Sequence, residues 1–391
     1  MKAGVCIGMV GAGRATELHM QALQQFSSFP VRLKRIVAQR PCQVEEAQTR
    51  YGFEEASLCF DDLLSDPDID VIDICTPPYV HEDMIERALM AGKHVICEKP
   101  LTGYFGLADD SEPIGLHVPK ARMYARLLER LEHLEGVVRA SDRQFMYAEN
   151  FIYAPAIIKA AEIVRAKKSR ILFAKGEESL KGSSSPVAGE WNRTGGGTFI
   201  RTGSHPLSAI LWLKEQEARA RGTEIGVSSV LADMTRLTPS LTPHEHRHIA
   251  ARPHDVEDIG TAILSFTDGS RAVVMASDTL LGGSKNYVQL YCNDAAINCR
   301  LTMADMMETY FLDEEGLDRV EISEMLPGKL GWNKPFLLDI TMRGYTDEMK
   351  DFMECIRYNR PAKSGFAIAR DTIKIIYAAY LSAEEGRVVY L

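Results

Sequence analysis

No Cys-x-x-Cys pair occurs in the 391 residues, although there are eight cysteines, at positions 6, 42, 59, 75, 97, 292, 299 and 355. That scatter gives no dense disulfide framework, and Cys6, Cys75 and Cys97 sit inside apolar runs where a thiol acts as a small hydrophobe. A reducing cytoplasm is the expected setting. Positive charge is also short: 45 Lys and Arg against 54 Asp and Glu leave a formal charge of −9. The electrostatic footprint that grips a phosphate backbone is therefore missing, and nucleic acid is not an expected partner. No apolar run reaches membrane-spanning length, so no membrane partner is expected. The first ten residues look a little like a secretion signal, but they pass straight into Gly11-Ala12-Gly13-Arg14-Ala15-Thr16 instead of a small-residue cleavage site. Internal repeats and low-complexity tracts are absent too.

What is present is an ordinary globular composition, 46% hydrophobic and 25% charged, over twice the usual domain length, so two domains are expected. The first hundred residues alternate short β-branched runs with helical patterns, which predicts an α/β fold with a doubly wound parallel sheet. Strands are expected at 5–10, 33–38, 71–75 and 95–97. Leu18, Ala22, Leu23 and Phe26 mark the buried face of one helix, and 81–91 forms another. Residues 102–120, rich in Gly, Pro and Asp, read as a long loop or insertion, the kind that is usually functional or disordered. A helix with Tyr124, Leu127, Leu128, Leu131 and Leu134 as its stripe follows.

Beyond about residue 150 the pattern changes. Strand-like segments at 170–174, 225–234, 259–266, 272–276 and 287–292 succeed one another without regular helices between them, and Thr267-Asp268-Gly269-Ser270 is a hairpin signal. A mostly antiparallel sheet is expected there. Helices are predicted only at 206–213, 347–358 and 371–384.

The strongest chemical signal is the Gly11–Gly13 pair between a strand and a helix. Gly11 permits a tight turn, and Gly13 lets a diphosphate approach the helix N-terminus. The third fingerprint position is Thr16, where Gly or Ala is usual. At the end of the second strand Gln39-Arg40 replaces the acid that favours NAD; Arg40 suits a 2′-phosphate, Gln39 a free hydroxyl, and the choice between NAD and NADP stays open. Glu98-Lys99-Pro100 closes a parallel strand, where ligands bind in such sheets, and a lysine there can donate to a substrate oxygen.

Together with Cys75-Thr76-Pro77-Pro78 and His81, with Gly195-Gly196-Gly197 leading to Gly203 and His205, and with Ser382-Ala383-Glu384-Glu385-Gly386-Arg387, these motifs make the sequence resemble the Gfo/Idh/MocA family of oxidoreductases nearly end to end. The resemblance implies a Rossmann domain, residues 1–148, followed by a substrate-binding domain, residues 149–391, built on an open-faced sheet whose far face often builds homo-oligomers. It implies sugar, polyol or glycoside substrates, a catalytic Lys99 whose Lys-Pro peptide is cis, and His205 at the position of the general acid/base histidine. The cofactor set so expected is Gly11, Gly13, Arg14, Ala15, Gln39, Arg40, Thr76, Pro77, His81, Glu98 and Lys99. The substrate set is Asn150, Tyr153, Trp191, Arg193, Arg201 and His205.

Arg201 departs from the family pattern, which places an aspartate four residues before the histidine. A cation there disfavours the protonated form of an adjacent His or Lys, favouring a neutral base, and offers donors to substrate hydroxyls or a carboxylate. The Arg-Thr-Gly-Ser-His-Pro pattern and the long loop after Pro100 look similar to a subgroup that oxidises glucose-ring C3 in glycosides. His244, His246 and His248 alternate in a segment bounded by prolines, with Glu245 and Arg247 interleaved; it reads as a loop, and no metal is expected. Two other functions fit the same resemblance: a redox-neutral glycosidase that uses the cofactor transiently, and a non-catalytic sensor, against which the retention of Lys99 and His205 argues.

Overall fold

The computed structural model describes residues 4–183, 185–302, 309–311, 328, 330–333 and 339–391. The chain begins β1 (Val5–Val10), α1 (Arg14–Leu23), β2 (Val31–Val37), α2 (Pro41–Tyr51), β3 (Glu55–Ser57), α3 (Asp61–Leu64), β4 (Val71–Ile74), α4 (His81–Met90) and β5 (His94–Glu98). It continues through α5 (Ile114–His117), α6 (Lys120–Ala140) and β6 (Phe145–Ala148). The six strands form one parallel sheet in the order β3-β2-β1-β4-β5-β6. Every residue of β1 and β4 is buried, as expected of strands covered on both faces. The order reverses at β1, so a crevice opens beyond the carboxyl ends of β1 and β4.

The second half runs α7 (Pro155–Lys167), β7 (Ile171–Ser179), α8 (Trp191–Thr194), α9 (Thr198–Arg201), α10 (Ser204–Arg221), β8 (Val227–Thr235), β9 (Ile259–Phe266), β10 (Arg271–Ser277), β11 (Lys285–Cys292) and β12 (Ala296–Arg300). After a short pair, β13 (Thr309–Phe311) with β14 (Gly331–Asn333), come α11 (Asp339–Met342), α12 (Tyr345–Tyr358), α13 (Phe366–Glu385) and β15 (Val389–Tyr390). Seven strands form a sheet in the order β12-β11-β7-β10-β9-β8-β15, antiparallel except where β7 meets β10. Helices α10 and α13 cover one face. On the other, Leu172, Leu231, Ile263 and Tyr291 are each more than 40% exposed.

One expectation needs correcting. Helix α7 stands where no regular helix was expected; its Ile157, Ala160, Ala161 and Val164 are buried at helical spacing behind Pro155 at the first turn. The 102–120 segment is a long loop, as expected, with only the short α5 in it before α6 begins, and it is well packed. Leu101, Thr102, Tyr104, Ile114 and Val118 are buried, and the segment is pinned to the second half. The Tyr104 amide donates to the Tyr377 hydroxyl, the Trp191 indole donates to the Tyr104 carbonyl at 3.1 Å, and the Gly115 amide donates to Asp255 at 2.9 Å.

Within the second half a clamp on the glycine triplet ties the α8–α9 turn to the segment before β9 and to α13. Gly196 has φ +147°, and a Cβ there would lie 2.2 Å from the Tyr380 hydroxyl; at Gly197 it would lie 1.9 Å from the Glu257 carbonyl oxygen. With the backbone so close, the Glu257 side chain accepts from the amides of Gly197 (2.8 Å) and Phe199 (2.9 Å) and from the Tyr380 hydroxyl (2.9 Å). Burial pushes the Glu257 carboxyl up to about 7 despite these donors.

Gly197→Ala is therefore expected to cost about 2–4 kcal/mol of stability, read as a lowered urea midpoint, because the clash is with backbone. The folded chain also holds the Glu257 proton to higher pH than the unfolded chain does. That contribution to stability is present below about 4.5 and lost as pH rises towards about 7. Glu257→Gln should flatten the stability–pH curve across that window, as measured by denaturant titration at half-unit steps.

Candidate functional site

The carboxyl end of β1 turns into α1 through a backbone-lined hollow. Gly11 has φ +109°, and a Cβ on it would meet the Cys75 carbonyl oxygen at 2.4 Å, so only glycine brings β1 and β4 this close. Gly13 caps α1 without any side-chain cap, and a Cβ on it would meet nothing within 4 Å. The hollow thus offers bare amides and the positive end of a ten-residue helix, which fits the diphosphate of a dinucleotide. Thr16 explains its departure from the fingerprint: its hydroxyl donates to the Gly11 carbonyl at 3.0 Å and closes the turn.

Arg14 and Ala15 border the hollow on the cleft side. Gln39 and Arg40 are exposed at the end of β2, with the Arg40 guanidinium donating to Gln43 at 2.9 Å. Thr76 and Pro77 follow β4. His81 lies behind them, fully buried, its ring bridging the Thr76 (2.9 Å) and Pro100 (3.0 Å) carbonyls. It shapes the wall of the crevice and does not line it.

Under the crevice runs a buried polar chain. His19 Nδ1 lies 2.9 Å from Asp73, and Nε2 lies 3.2 Å from Glu98, whose other oxygen accepts the Lys99 amide at 2.9 Å. Burial works to strip the proton from His19, but the Asp73 carboxylate outweighs it and holds the imidazole well above its usual range. Cys75 completes a buried trio with His19 and Asp73 whose donor atoms lie within 4.8 Å of one another. With the imidazole already bonded to Asp73 and burial pushing the Cys75 thiol up to about 12, this trio is a hydrogen-bonded cluster complete without an ion.

The two sheets meet at Lys99. Its Nζ donates to the carbonyl of Arg201, across a Lys99–Pro100 peptide that is cis, as the resemblance implied. His205, in the first turn of α10 and 3% exposed, has Nδ1 2.6 Å from Glu149 Oε1, and its ring stacks on Phe151 at 4.8 Å and 19°. Arg201 pairs with Asp278, which also accepts from the Thr198 hydroxyl at 3.2 Å. Burial raises the Asp278 carboxyl above its ordinary value even beside that guanidinium. Arg14, Glu98, Lys99, Arg201 and His205 line one cleft of about 750 Å³, which extends past Lys181 and Ser183 to Asn286 and Thr302.

Other expected substrate residues are not brought there. Asn150 donates to the Arg343 carbonyl at 2.8 Å, and Tyr153 donates to Asp351 at 2.9 Å; both are buried between α7 and α12. Trp191 is 2% exposed, packed on Tyr380 with Lys120 Nζ 4.6 Å above its ring. Arg193 is half exposed on the rim, 5.7 Å from the Tyr79 ring and next to Thr194, which does line the cleft. His244, His246 and His248 belong to a short turn in which His246 Nε2 bonds the Ala251 carbonyl at 2.8 Å, and they do not converge on a common point.

Sequence reasoning missed Glu149, Glu257 and Asp278. For Glu149 a signal existed: it follows β6 directly, and β6 ends level with Glu98 on β5, the sheet edge where ligand-facing groups collect.

Comparison with known proteins follows the same division. Residues 5–110 match the model described as "Oxidoreductase family, NAD-binding Rossmann fold", and residues 156–298 match the "GFO/IDH/MocA C-terminal domain". A Bacillus subtilis (strain 168) protein named uncharacterized oxidoreductase YrbE is 25% identical over 91% of this chain and 87% of its own. The myo-inositol 2-dehydrogenase of Thermotoga maritima is 23% identical over 98% of each. Among solved structures, GenD2 from gentamicin A biosynthesis, in complex with NAD, superposes with a TM-score of 0.79 at 19% identity, over 100% of this chain and 97% of its own. A levoglucosan dehydrogenase complexed with NADH superposes at 0.71 and 22%, over 99% and 98%. At such identities these structures establish the shared fold.

The Arg201–Asp278 pair generates its own test. Arg201→Ala strands a buried carboxylate and should cost about 3–5 kcal/mol, whereas the double variant Arg201→Ala/Asp278→Asn should recover most of that loss. Denaturant melts of the two variants and the wild type check this; equal losses would show that Asp278 does not depend on Arg201.

Proposed function

This chain belongs to the Gfo/Idh/MocA family of oxidoreductases, and from that premise we propose that it is an NAD(P)-dependent dehydrogenase oxidising a secondary hydroxyl of a sugar or glycoside, at glucose-ring C3 where the substrate is a glucoside. The observation that carries the reading is the convergence of Lys99 and His205 on one cleft beside the bare-backbone hollow at Gly11 and Gly13. A dinucleotide bound there would supply the acceptor for the hydride of the carbinol carbon. Gly11, Gly13, Arg14 and Ala15 would hold its diphosphate, with Gln39 and Arg40 at the ribose. Lys99 donates to the substrate oxygen, and its ammonium, already aimed across the cleft at the Arg201 carbonyl, orients that oxygen beside His205. His205 takes the hydroxyl proton on Nε2, since Nδ1 is occupied by Glu149.

The shape of the cleft supports a glycoside. Arg14 and Ala15 line its cofactor end, and beyond Lys99 and His205 it continues past Lys181 and Ser183 to Asn286, where a second ring system would lie. The exposed apolar side chains of the second sheet, Leu172, Ile263 and Tyr291 among them, support a homo-oligomer formed through that face. Eight free thiols suit work in the cytoplasm.

The purified protein should reduce NAD or NADP with at least one member of a panel of glycosides, sugars and polyols, followed by absorbance at the reduced nicotinamide band and mass spectrometry of the product. Lys99→Ala should lower turnover about a hundredfold or more while cofactor affinity stays within a few-fold. An unchanged rate would remove Lys99 from the chemistry. Release of aglycone with no net cofactor reduction would favour the redox-neutral glycosidase.

A further inference from the structure

The residue four positions before His205 is Arg201, and its charge is spent on Asp278. His205 still has a carboxylate, but one supplied from the other sheet. Glu149, immediately after β6, places Oε1 2.6 Å from Nδ1, and neither side chain is more than 4% exposed. The same oxygen accepts the Phe151 amide at 3.4 Å, and the Phe151 ring stacks on the imidazole. One carboxylate therefore fixes both the edge and the face of the ring.

The geometry points to Glu149 as the positioning residue of His205: it holds the Nδ1–H tautomer, leaves Nε2 to receive the substrate proton, and stabilises the imidazolium that results. The inference rests on the reading of His205 as the proton acceptor. In the step, the O–H proton of the alcohol passes to Nε2, the carbinol hydrogen leaves with its electron pair as hydride to the nicotinamide, and a carbonyl remains. Glu149 exchanges no proton. Its buried position matters because a charge–charge contact shielded from water is far stronger than one at the surface.

Other titratable groups face this pair. On β5 and just beyond it stand Cys97, Glu98 and Lys99; on β6, Tyr147; before and on α12, Arg343 and Glu348; on α9, Arg201. Burial keeps Cys97 and Tyr147 neutral, and it pushes the Glu348 carboxyl well up. Burial also works to raise Glu98, but the bond from His19 overrides it and holds that carboxyl below its usual range, already matched by the imidazolium of His19. Arg201 is matched by Asp278. That leaves Glu149 as the carboxylate in direct contact with the His205 ring.

Two measurements on the full chain separate this inference from the reading beneath it. In protein labelled with ¹⁵N-histidine, the His205 ring, assigned by its loss in His205→Gln, should titrate in Glu149→Gln about one pH unit below its wild-type midpoint, because the carboxylate that favours imidazolium is gone. Glu149→Asp, which keeps the charge, should fall between the two. On a glycoside that the wild type oxidises, Glu149→Gln should lower kcat about 10- to 100-fold with KM within about threefold, and the acid limb of its pH–rate profile should move to lower pH. Quenching of protein fluorescence on NADH binding reports that each variant is folded. An unmoved midpoint overturns the pairing whatever the activity. A moved midpoint with unchanged kcat overturns the positioning role. A wild type that oxidises nothing sinks the dehydrogenase reading and the catalytic half of this inference with it, while the midpoint still decides the pairing.

Discussion

Taking a carboxylate out of water costs several kcal/mol unless the chain answers it, and a set of buried acids lies under or beside the cleft. The answers determine the site. Asp73 is met by His19, Glu149 by His205 and Asp278 by Arg201. Asp258 is met by the amides of Leu237 and Thr238, and Glu257 by those of Gly197 and Phe199. Each partner is thereby held in one orientation, and the imidazole, the guanidinium and the glycine segment that carry the functional groups are located by acids that do not face the cleft opening. Lys99 is set by the same logic from the other side, since its Nζ bonds a carbonyl whose position is fixed by the α9 segment between Glu257 and Asp278.

That arrangement explains which parts were legible beforehand. The β1–turn–α1 unit, the strand ending at Lys99 and the 267–270 hairpin are local: their signals are a period of two or 3.6 and a few glycines, and the structure places them within a residue or two of expectation. Helix α10 was seen only in part because its far end, Lys214 to Glu217, is buried with charge paired to charge, which hides an interior helix behind a polar sequence. The partners of the site were illegible for a simpler reason. Glu149 and His205, or Arg201 and Asp278, are far apart in sequence, and nothing adjacent to a lone acid says that it will be buried.

Trp191, Asn150 and Tyr153 teach the converse. Each has the residue type of a sugar-contacting group, and each is used to join elements: Trp191 ties the 102–120 segment to α13, Tyr153 ties the β6 end to α12 and to the amide of Ser364, and Asn150 holds the Arg343 carbonyl. Aromatic bodies with one polar tip suit both tasks, so residue type alone does not separate recognition from assembly.

The place of β7 in its sheet has a kinetic side. In the first sheet every pairing joins consecutive strands except that of β4, which returns past β2 and β3 to lie beside β1, so that sheet can assemble as the chain emerges. Both neighbours of β7, parallel β10 and antiparallel β11, come from chain about a hundred residues further on, and long-range pairing of that kind is slow to form. Until they arrive, β7 carries two open edges and the apolar Leu172 and Phe173, while α9 waits without β9 and β10, the strands it packs on. The same excursion that delivers Arg201 and His205 to the cleft therefore sets the interval in which a nascent chain is exposed to aggregation, and slower synthesis or lower temperature should raise the yield of folded protein.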